Sequence, residues 1–365
     1  MIRSNNFLAE KGVGRRDFLK LSTQVALVLG LSPAIIPKMT HALETKEKPA
    51  VIWLHFQECT GCTESLLRSS AVDVATLILD VISLEYHETL FAAAGHQIEE
   101  QLQSAMKRYA GKYVLVVEGA IPTKENGHYC MIGGRTALEM LKETAEQAAA
   151  VISIGSCASW GGIPSSGPNP TGAVGVNQII KNKPVVNVPG CPPNPYNFLS
   201  TVVHFLTFGK LPALDKQGRP KFAYGTLIHD QCERRGHFNA QRFVNEFGDE
   251  GHRRGWCLYK MGCKGPATFA NCPEQGFNRY KTWPVSIGHP CFGCVEKDVA
   301  FTVPLHTVSE VLSPNPPQVY ASPQQAGNKP ASLIAAGAVG AAAGIAATAV
   351  VMKGKKTAGF RGGLI

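Results

Sequence analysis

The 365-residue sequence lacks several features that reveal a function directly: it has no internal repeat, no Walker loop and no complete Gly-x-Gly-x-x-Gly fingerprint. These absences argue against a repeat protein, a P-loop nucleotide hydrolase and a standard dinucleotide-binding domain. The body of the chain also lacks excess charge. The formal net charge is +9, but residues 1–42 carry a net +4 and the residues after Met352 another +4, which leaves +1. The basic pI therefore does not indicate a nucleic-acid partner.

The sequence is rich in sulfur donors. Ten of the eleven cysteines, and one histidine, stand at spacings typical of metal ligands: Cys59-x2-Cys62, Cys157, Cys191, His229-x2-Cys232, Cys257-x5-Cys263, Cys272 and Cys291-x2-Cys294. Thiolates in this number suit iron–sulfur clusters or zinc, so electron transfer is the favoured function. Cys130 stands outside these motifs and is interpreted as a small buried hydrophobic residue.

A disulfide-rich secreted scaffold is an alternative interpretation of so many cysteines. Three observations count against it: the cysteine number is odd, the chain is long enough to build a core without crosslinks, and Cys-x2-Cys pairs lie too close together to connect distant segments. Metal ligation remains the better interpretation. At this point both iron–sulfur clusters and zinc stay open.

The N-terminal residues 1–42 resemble a twin-arginine export signal. Arg15 and Arg16 precede an uncharged, mostly apolar run over 21–36 and a small-residue site near Ala42, although Gly14 replaces the usual Ser or Thr. An amphipathic helix of the mature protein is the weaker alternative, because the run is uncharged and contains Pro33. Export in a folded state suits a chain that receives its metal in the reducing cytoplasm.

The C-terminal residues 331–352 form a stretch of 22 residues without a charge, followed by Lys353, Lys355, Lys356 and Arg361. This length and these flanking cations predict a transmembrane helix with a cytoplasmic tail over 353–365 and a periplasmic body. The stretch is rich in Ala and Gly, so a helix packed on a partner protein is the alternative. The Pro- and Gln-rich residues before it predict a linker.

Between the two ends, the first half of the body alternates apolar runs with helical patterns. Strands are predicted over 51–56, 113–117, 150–154 and 184–188, and helices over 64–81, 97–109, 135–149 and 194–208. This alternation predicts an α/β fold with a doubly wound parallel sheet. Residues 219–304 have frequent Gly and Pro and few periodic apolar runs, so metal binding is expected to supply part of their folding energy.

The predicted sheet brings four cysteines to one edge. Cys59 and Cys62 follow the first predicted strand, Cys157 the third and Cys191 the fourth, all in loops at carboxyl ends. In an open parallel sheet these loops converge on one crevice. Glu118 ends the second predicted strand at the same edge, and its sequence position leaves a functional role and a solvated carboxylate equally open.

Six segments resemble the small, electron-transferring subunit of membrane-bound, periplasmic nickel-iron uptake hydrogenases. They are Glu58-Cys59-Thr60-Gly61-Cys62-Thr63-Glu64-Ser65, Glu118-Gly119-Ala120-Ile121-Pro122, Gly155-Ser156-Cys157-Ala158-Ser159-Trp160-Gly161, Pro189-Gly190-Cys191-Pro192-Pro193-Asn194-Pro195, His229-Asp230-Gln231-Cys232 and Gly288-His289-Pro290-Cys291-Phe292-Gly293-Cys294. The resemblance implies a flavodoxin-like domain over 43–218 and an irregular cluster-binding domain over 219–304. A linker over 305–330 and the membrane anchor would follow.

The resemblance also implies how the donors are divided among three clusters. Cys59, Cys62, Cys157 and Cys191 would hold a proximal 4Fe-4S cluster, and His229, Cys232, Cys257 and Cys263 a distal 4Fe-4S cluster. Cys272, Cys291 and Cys294 would hold a medial 3Fe-4S cluster, with Pro284 standing where a fourth ligand is absent. Fewer thiolates place less negative charge on a cluster, which favours a higher potential.

The partners implied by the resemblance are a large subunit with a Ni-Fe active site and a membrane electron acceptor linked to quinone. The acceptor would be a cytochrome b, or a ferredoxin-like protein with an integral membrane subunit, and a dimer of heterodimers is allowed. The present chain would contain no catalytic residue and would relay electrons of reversible H2 oxidation. Relatives of the oxygen-tolerant group carry two extra cysteines at positions matching Gly61 and Gly162, so we expect an oxygen-sensitive enzyme.

Two rival functions remain at the level of sequence. The small subunit of respiratory complex I shares the proximal-type motif, but it typically has adjacent cysteines and lacks the seven downstream donors. A zinc-binding structural or interaction protein of the periplasm is the rival from another class, because zinc accepts four thiolates or three thiolates and one imidazole.

Overall fold

A five-stranded parallel sheet lies at the centre of the first half of the chain, with the strand order β2-β1-β3-β7-β9. The computed structural model describes residues 15–45, 47–69, 81–277 and 280–315. Its strands are β1 Ala50–His55, β2 Ser83–His87, β3 Val114–Glu118, β4 Ile121–Pro122, β5 Met131–Ile132, β6 Arg135–Thr136, β7 Ala150–Ile154, β8 Ala173–Val174 and β9 Val185–Val188. The predicted α/β fold with a parallel sheet is confirmed.

The central strands are buried on both faces, as parallel sheets require. Every residue of β1 and β3 is buried. Strand β2 is not among the predicted strands, because its sequence Ser-Leu-Glu-Tyr-His mixes polar and apolar residues and three of its five positions are only half-buried. Such a pattern is typical of an edge strand, and β2 lies at an edge of the sheet.

Helices cover the sheet and continue into the second half of the chain. They are α1 Arg15–Val28, α2 Ile36–Thr45, α3 Gly61–Leu67, α4 His96–Arg108, α5 Ala137–Glu146, α6 Gly155–Trp160, α7 Val176–Ile179, α8 Pro195–Phe208, α9 Lys221–Tyr224, α10 Ile228–Gln231, α11 Arg235–Asn239, α12 Glu250–Arg253 and α13 Cys272–Gln275. The predicted helix over 64–81 is described only to residue 69, because residues 70–80 lie outside the described ranges.

Alternating strand residues divide the core into two layers. Ile52, Leu54 and Leu115 pack on one face with side chains of α4 and α5. Val51 and Val116 pack on the other face with Phe198 and other residues of α8. The helices begin where local sequence satisfies their free amides: Thr136 and Glu139 form a capping box for α5, and Asn194 caps α8 before Pro195.

Helices α1 and α2 contain most of the predicted signal peptide. They pack against each other and against α8, and Leu21, Val25 and Met39 are completely buried there. The side chain of Gln24 also reaches Gln275, with 3.5 Å between Nε2 and Oε1. Gly14 lies outside the described residues. The assignment of residues 1–42 as an export signal stays a prediction.

The second half of the body consists of short elements connected by hydrogen bonds and buried ion pairs. Among the described residues after 219, no helix is longer than five residues. Buried Arg219 pairs with both Asp215 and Glu296, at 2.8 Å in each case. Residues 305–315, expected to begin a linker, are bonded to this region, since Arg235 donates to the carbonyl oxygens of Ser313 and Asn315.

The described residues all belong to one compact unit. Their helices include none that combines the length and the apolar character needed to cross a bilayer. The predicted membrane anchor over 331–352 and the tail over 353–365 lie outside the described residues.

Candidate metal centres

Four of the predicted donors lie where the carboxyl ends of the sheet strands meet. Cys59 and Cys62 follow β1, Cys157 follows β7 and Cys191 follows β9. Their placement differs from the expectation in one respect. Cys62 and Cys157 lie in the first turns of α3 and α6 rather than in loops, because each helix begins directly after its strand or turn.

Close approach between backbone and sulfur makes glycine necessary at this edge. Gly155 has a φ of +86°, and a Cβ atom there would lie 2.4 Å from Sγ of Cys62. Gly162 has a φ of +51°, and a Cβ atom there would lie 2.7 Å from Sγ of Cys157. A larger residue at Gly162 therefore requires the Cys157 turn to move.

The four thiols are close enough to influence each other's ionisation. Desolvation, with smaller contributions from neighbouring thiols, raises the pKa of Cys157 to about 11 and that of Cys191 to about 12. Burial also raises the pKa of Cys62 well above its usual value, with added effects from Glu118 and the three other cysteines. Without a bound cation these thiols stay protonated, so thiolate ligation requires a strongly positive centre.

This first group of donors opens to the protein surface. Cys59 and Cys191 are exposed, whereas Cys62 and Cys157 are half-buried. A bound group would be shielded by protein on one side and reachable on the other. Such an arrangement suits a redox centre that meets a partner at this edge.

Glu118 is buried directly beneath this group, which excludes the interpretation of a solvated strand-end carboxylate. The side chain is 1% exposed. Its Oε1 accepts the amide N–H of Cys62 at 3.0 Å, and its Oε2 accepts the Thr63 hydroxyl at 2.6 Å and the indole N–H of Trp53 at 3.2 Å. The carboxylate therefore fixes the backbone that carries Cys62.

Two histidines extend this polar network, and neither is among the predicted site residues. Nε2 of His55 lies 3.4 Å from Nε2 of His87, and Nδ1 of His55 lies 3.3 Å from Oε1 of Glu58. Burial, with a smaller effect of His55, lowers the pKa of His87 to about 3, so this ring is neutral. For His55 the sequence signal was a polar residue near the end of a predicted buried strand, whereas His87 ends β2, which was not predicted.

Donor atoms of His55, Glu58 and Glu118 lie within 4.8 Å of one another, which is a spacing that could hold a metal ion. The hydrogen bonds of Glu118 argue against that use. Its two oxygens already accept from Trp53, Cys62 and Thr63, so few lone pairs remain for a cation. We interpret the group as a hydrogen-bonded support for the Cys59–Cys62 turn.

A second group of donors surrounds a small enclosed cavity in the irregular half of the body. All four predicted distal ligands line it, namely His229, Cys232, Cys257 and Cys263. Nε2 of His229 is buried and has no hydrogen-bond partner within the described part of the chain. Burial, assisted by Arg235, lowers the pKa of His229 to about 4, which leaves a neutral imidazole with a free lone pair. An orphaned nitrogen among three thiols fits a metal ligand.

Positive side chains lie around this second group. Arg234 and Arg235 line the same cavity, and the amide N–H of Arg234 donates to Sγ of Cys232 at 3.4 Å. Burial raises the pKa of Cys257 to about 12 and that of Cys232 well above its usual value. Nearby cations and N–H donors to sulfur favour the thiolate form once a metal is bound.

The third group lines a cavity of about 290 Å³. Cys272, Cys291 and Cys294 contribute to its wall together with Pro284. Burial raises the pKa of Cys272 to about 12. Cys191 of the first group also lines this cavity. The structure therefore brings together each set of donors that the resemblance implies.

Hydrogen bonds join neighbouring groups of donors. The hydroxyl of Ser156, beside Cys157, donates to the carbonyl oxygen of Cys294 and accepts the amide N–H of Gly190, which precedes Cys191. The indole N–H of Trp160 donates to the carbonyl oxygen of Val295 at 3.2 Å. The irregular half is thus fixed to the sheet edge through residues adjacent to the ligands.

Cys130 takes no part in any of these groups. Its side chain is half-buried against the core layer that contains α5, so it is less completely buried than expected. Burial, with a smaller effect of Glu88, raises its pKa to about 11. The residue is a protonated thiol in an apolar setting.

Comparisons with known proteins agree with this geometry. Residues 59–205 match the family described as NADH ubiquinone oxidoreductase, 20 Kd subunit, and residues 224–306 match the family described as the C-terminal part of the NiFe/NiFeSe hydrogenase small subunit. The hydrogenase-2 small chain of Escherichia coli (strain K12) is 49% identical over 98% of this chain and 97% of its own length. This chain belongs to the NiFe hydrogenase small-subunit family.

Two further relatives support the family assignment. The quinone-reactive Ni/Fe-hydrogenase small chain of Wolinella succinogenes is 50% identical over 80% of this chain and 82% of that protein. The solved structure of the reduced, active Ni-Fe-Se hydrogenase from Desulfomicrobium baculatum matches with a TM-score of 0.68 and 34% identity, covering 72% of this chain and 100% of that chain. The predicted resemblance is confirmed.

Family membership also decides against the complex I alternative. The match to the 20 Kd subunit family ends at residue 205, before the seven downstream donors. Those donors, from His229 to Cys294, fall within the match to the C-terminal family of hydrogenase small subunits. Hydrogenase small subunits carry iron–sulfur clusters, and the buried thiols and orphaned imidazole of this protein fit such groups.

Glu118→Gln should destabilise the turn that carries Cys62 in the first group of donors, which is the predicted proximal set. The new amide would place an NH2 group against the donors of Cys62, Thr63 and Trp53, and lost hydrogen bonds to a buried charge cost about 2–4 kcal/mol. We expect a matching loss in the free energy of unfolding, measured with denaturant, and a lower iron content per chain.

Glu143→Gln is the matched control for this change. Glu143 is 45% exposed and pairs with Arg135, so its replacement should change stability by less than about 1 kcal/mol. Equal stability and equal iron content in the two variants would show that Glu118 does not support the Cys62 turn.

Proposed function

We propose that this chain is the electron-relaying small subunit of a NiFe hydrogenase that works in reversible H2 oxidation. The observation that carries the proposal is the grouping of eleven sulfur and imidazole donors into three sets along one body. The hydrogen-activating Ni-Fe centre would belong to the large subunit, and this chain would contribute no catalytic residue.

Within this proposal, Cys59, Cys62, Cys157 and Cys191 hold the proximal 4Fe-4S cluster. His229, Cys232, Cys257 and Cys263 hold the distal 4Fe-4S cluster, and Cys272, Cys291 and Cys294 hold the medial 3Fe-4S cluster. When bound, these clusters supply one-electron carriers. The chain's own residues desolvate the sites, orient the sulfur atoms and place N–H donors and cations beside them.

The proposed partners follow from the exposed proximal edge and from the names of the relatives. The edge that exposes Cys59 and Cys191 would face the large subunit. The relative from Wolinella succinogenes is named quinone-reactive, which supports transfer to a membrane acceptor, a cytochrome b or a ferredoxin-like protein with an integral membrane subunit. A dimer of such heterodimers is compatible with this arrangement.

The proposed location is the periplasmic face of the cytoplasmic membrane. Twin-arginine export of the folded chain is supported by Arg15 and Arg16 before an uncharged run. A single membrane anchor over 331–352 is supported by its length and by the cations that follow it.

A structural zinc protein fits the donors less well. Structural zinc sites take four ligands around one ion. The medial group offers three thiols and Pro284, which has no donor atom, around a cavity of about 290 Å³. That space and that ligand number suit a multi-iron cluster better than a single ion.

Anaerobic purification of this chain from membranes, together with whatever subunits accompany it, tests the proposal. We expect brown material with iron and acid-labile sulfide in this chain and nickel in a larger partner. Colourless protein with zinc and no iron would overturn the proposal. Replacing Cys232 by Ala should lower the iron content of the preparation through loss of the distal cluster, whereas Cys130→Ala, outside the three groups, should leave the iron content unchanged.

Replacing Pro284 by Cys should convert the medial cluster from 3Fe-4S to 4Fe-4S. Pro284 lines the same cavity as the three medial cysteines, so a thiol there would supply the missing fourth ligand. Electron paramagnetic resonance of the oxidised protein should then lose the three-iron signal. A variant that still shows only that signal would contradict the assignment of this position.

Hydrogen oxidation by this enzyme should stop in air. The oxygen-tolerant group has cysteines at the positions of Gly61 and Gly162, and a Cβ atom at Gly162 would lie 2.7 Å from Sγ of Cys157. This chain therefore has four cysteines around the proximal site, two fewer than the oxygen-tolerant group. Hydrogen uptake that continues at an undiminished rate under air would count against this assignment.

A further inference from the structure

A buried lysine, Lys264, belongs to the segment that joins two of the three donor groups. Lys264 is 1% exposed, and its Nζ donates to the carbonyl oxygens of Pro304 at 3.2 Å, Leu305 at 3.3 Å and Thr307 at 2.8 Å. Three carbonyl acceptors around one nitrogen match the three N–H groups of an ammonium better than the two of a neutral amine. Burial lowers the pKa of this group, and the neighbouring Cys263 and Cys291 oppose that shift.

This positive charge has no carboxylate partner within the described residues. The ion pairs found there involve other cations, including the buried Arg219 and Arg235, each of which has an acidic partner. Three neutral carbonyl groups solvate the Lys264 ammonium but do not neutralise it. A buried ion without a counter-ion is costly unless negative charge lies nearby.

The backbone around Lys264 joins the distal and medial groups directly. Its neighbour Cys263 is a distal donor, and its own amide N–H donates to the carbonyl oxygen of the medial donor Cys291 at 2.8 Å. In return, the amide N–H of Cys291 donates to Sγ of Cys263 at 3.3 Å. These two hydrogen bonds form a short bridge between the groups.

The side chain begins on the medial side of this bridge. A Cβ atom built on Gly293, which lies between Cys291 and Cys294, would be 3.2 Å from Cβ of Lys264. The ammonium is thus carried by a residue in contact with both ligand segments. Iron–sulfur clusters with several thiolate ligands carry net negative charge, which would supply the missing counter-charge.

We infer that Lys264 is a positioning residue for electron transfer, whose buried charge raises the reduction potentials of the medial and distal clusters. The inference rests on the proposed function. Adding an electron makes each cluster more negative, so a nearby fixed cation stabilises the reduced form. The proximal cluster, which has no ligand next to Lys264, is affected least.

The experiment uses the intact heterodimer, purified anaerobically, with Lys264→Met, Lys264→Arg and the wild type compared by potentiometric titration followed by electron paramagnetic resonance. In Lys264→Met the ratio of reduced to oxidised medial and distal cluster at a fixed potential should fall about tenfold, equivalent to about 59 mV for a one-electron couple. Lys264→Arg keeps the charge and should restore most of the shift. The proximal signal is an internal reference.

Lys260→Met is the matched control. This residue lies four positions earlier, and its exposed ammonium stands over the ring of Phe243 at 5.3 Å. Removing the solvated charge of Lys260 should change the ratio of reduced to oxidised cluster less than removing the buried charge of Lys264, because water and salt screen the charge of Lys260. Equal shifts in Lys260→Met and Lys264→Met would overturn the inference.

Two further outcomes are decisive. Unchanged medial and distal potentials in Lys264→Met, with both clusters present, would show that the ammonium only holds residues 304–307. If Lys264→Met fails to assemble, Lys264→Gln keeps N–H donors without charge; loss of both clusters in that variant as well would assign Lys264 a structural role and overturn the tuning role. Absence of iron from the wild type would instead refute the proposed function.

Discussion

Burial of sulfur is the constraint on which the rest of this structure depends. The protein buries thiols, fully or in part, which raises their pKa values to about 11 for Cys157 and about 12 for Cys257 and Cys272. Such thiols are poor ligands until a strongly positive centre displaces their protons. We therefore expect metal binding and folding of the irregular half to be coupled, because the described part of that region has few long elements to order it otherwise.

The sheet and the irregular half position their thiols in different ways. The sheet supplies a rigid edge where three strands end together, and buried Glu118 holds the turn that carries Cys62. The irregular half has no such edge. It is fixed by hydrogen bonds from residues beside the ligands, such as Ser156 to Cys294 and Cys291 to Cys263. The same bonds keep the three groups in order, which is what an electron relay requires.

Much of the fold and most of the candidate site could be predicted, because both depend on patterns that are local in the sequence. Apolar runs such as 150–154 and the caps of helices such as α8 determine their elements within a few residues. Edge strand β2 was missed because its half-buried positions show no clear alternation of apolar and polar residues. The network of His55 and His87 was missed because its members belong to different strands and meet only across the sheet. The packing of residues 305–315 was missed because the linker prediction rested on the Pro-, Ser- and Gln-rich composition of residues 313–330, which overlaps only the end of this segment.

The sequence by itself determined the donor set, the parallel sheet and the family, since Cys-x2-Cys spacings, strand patterns and motif letters are local properties of the chain. Only the tertiary structure decided that Glu118 is buried, that Nε2 of His229 has no hydrogen-bond partner among the described residues and that Lys264 is buried in the segment joining two donor groups. Burial and charge compensation depend on residues distant in the chain. Their physical effect exists only once folding has excluded water from the space between them.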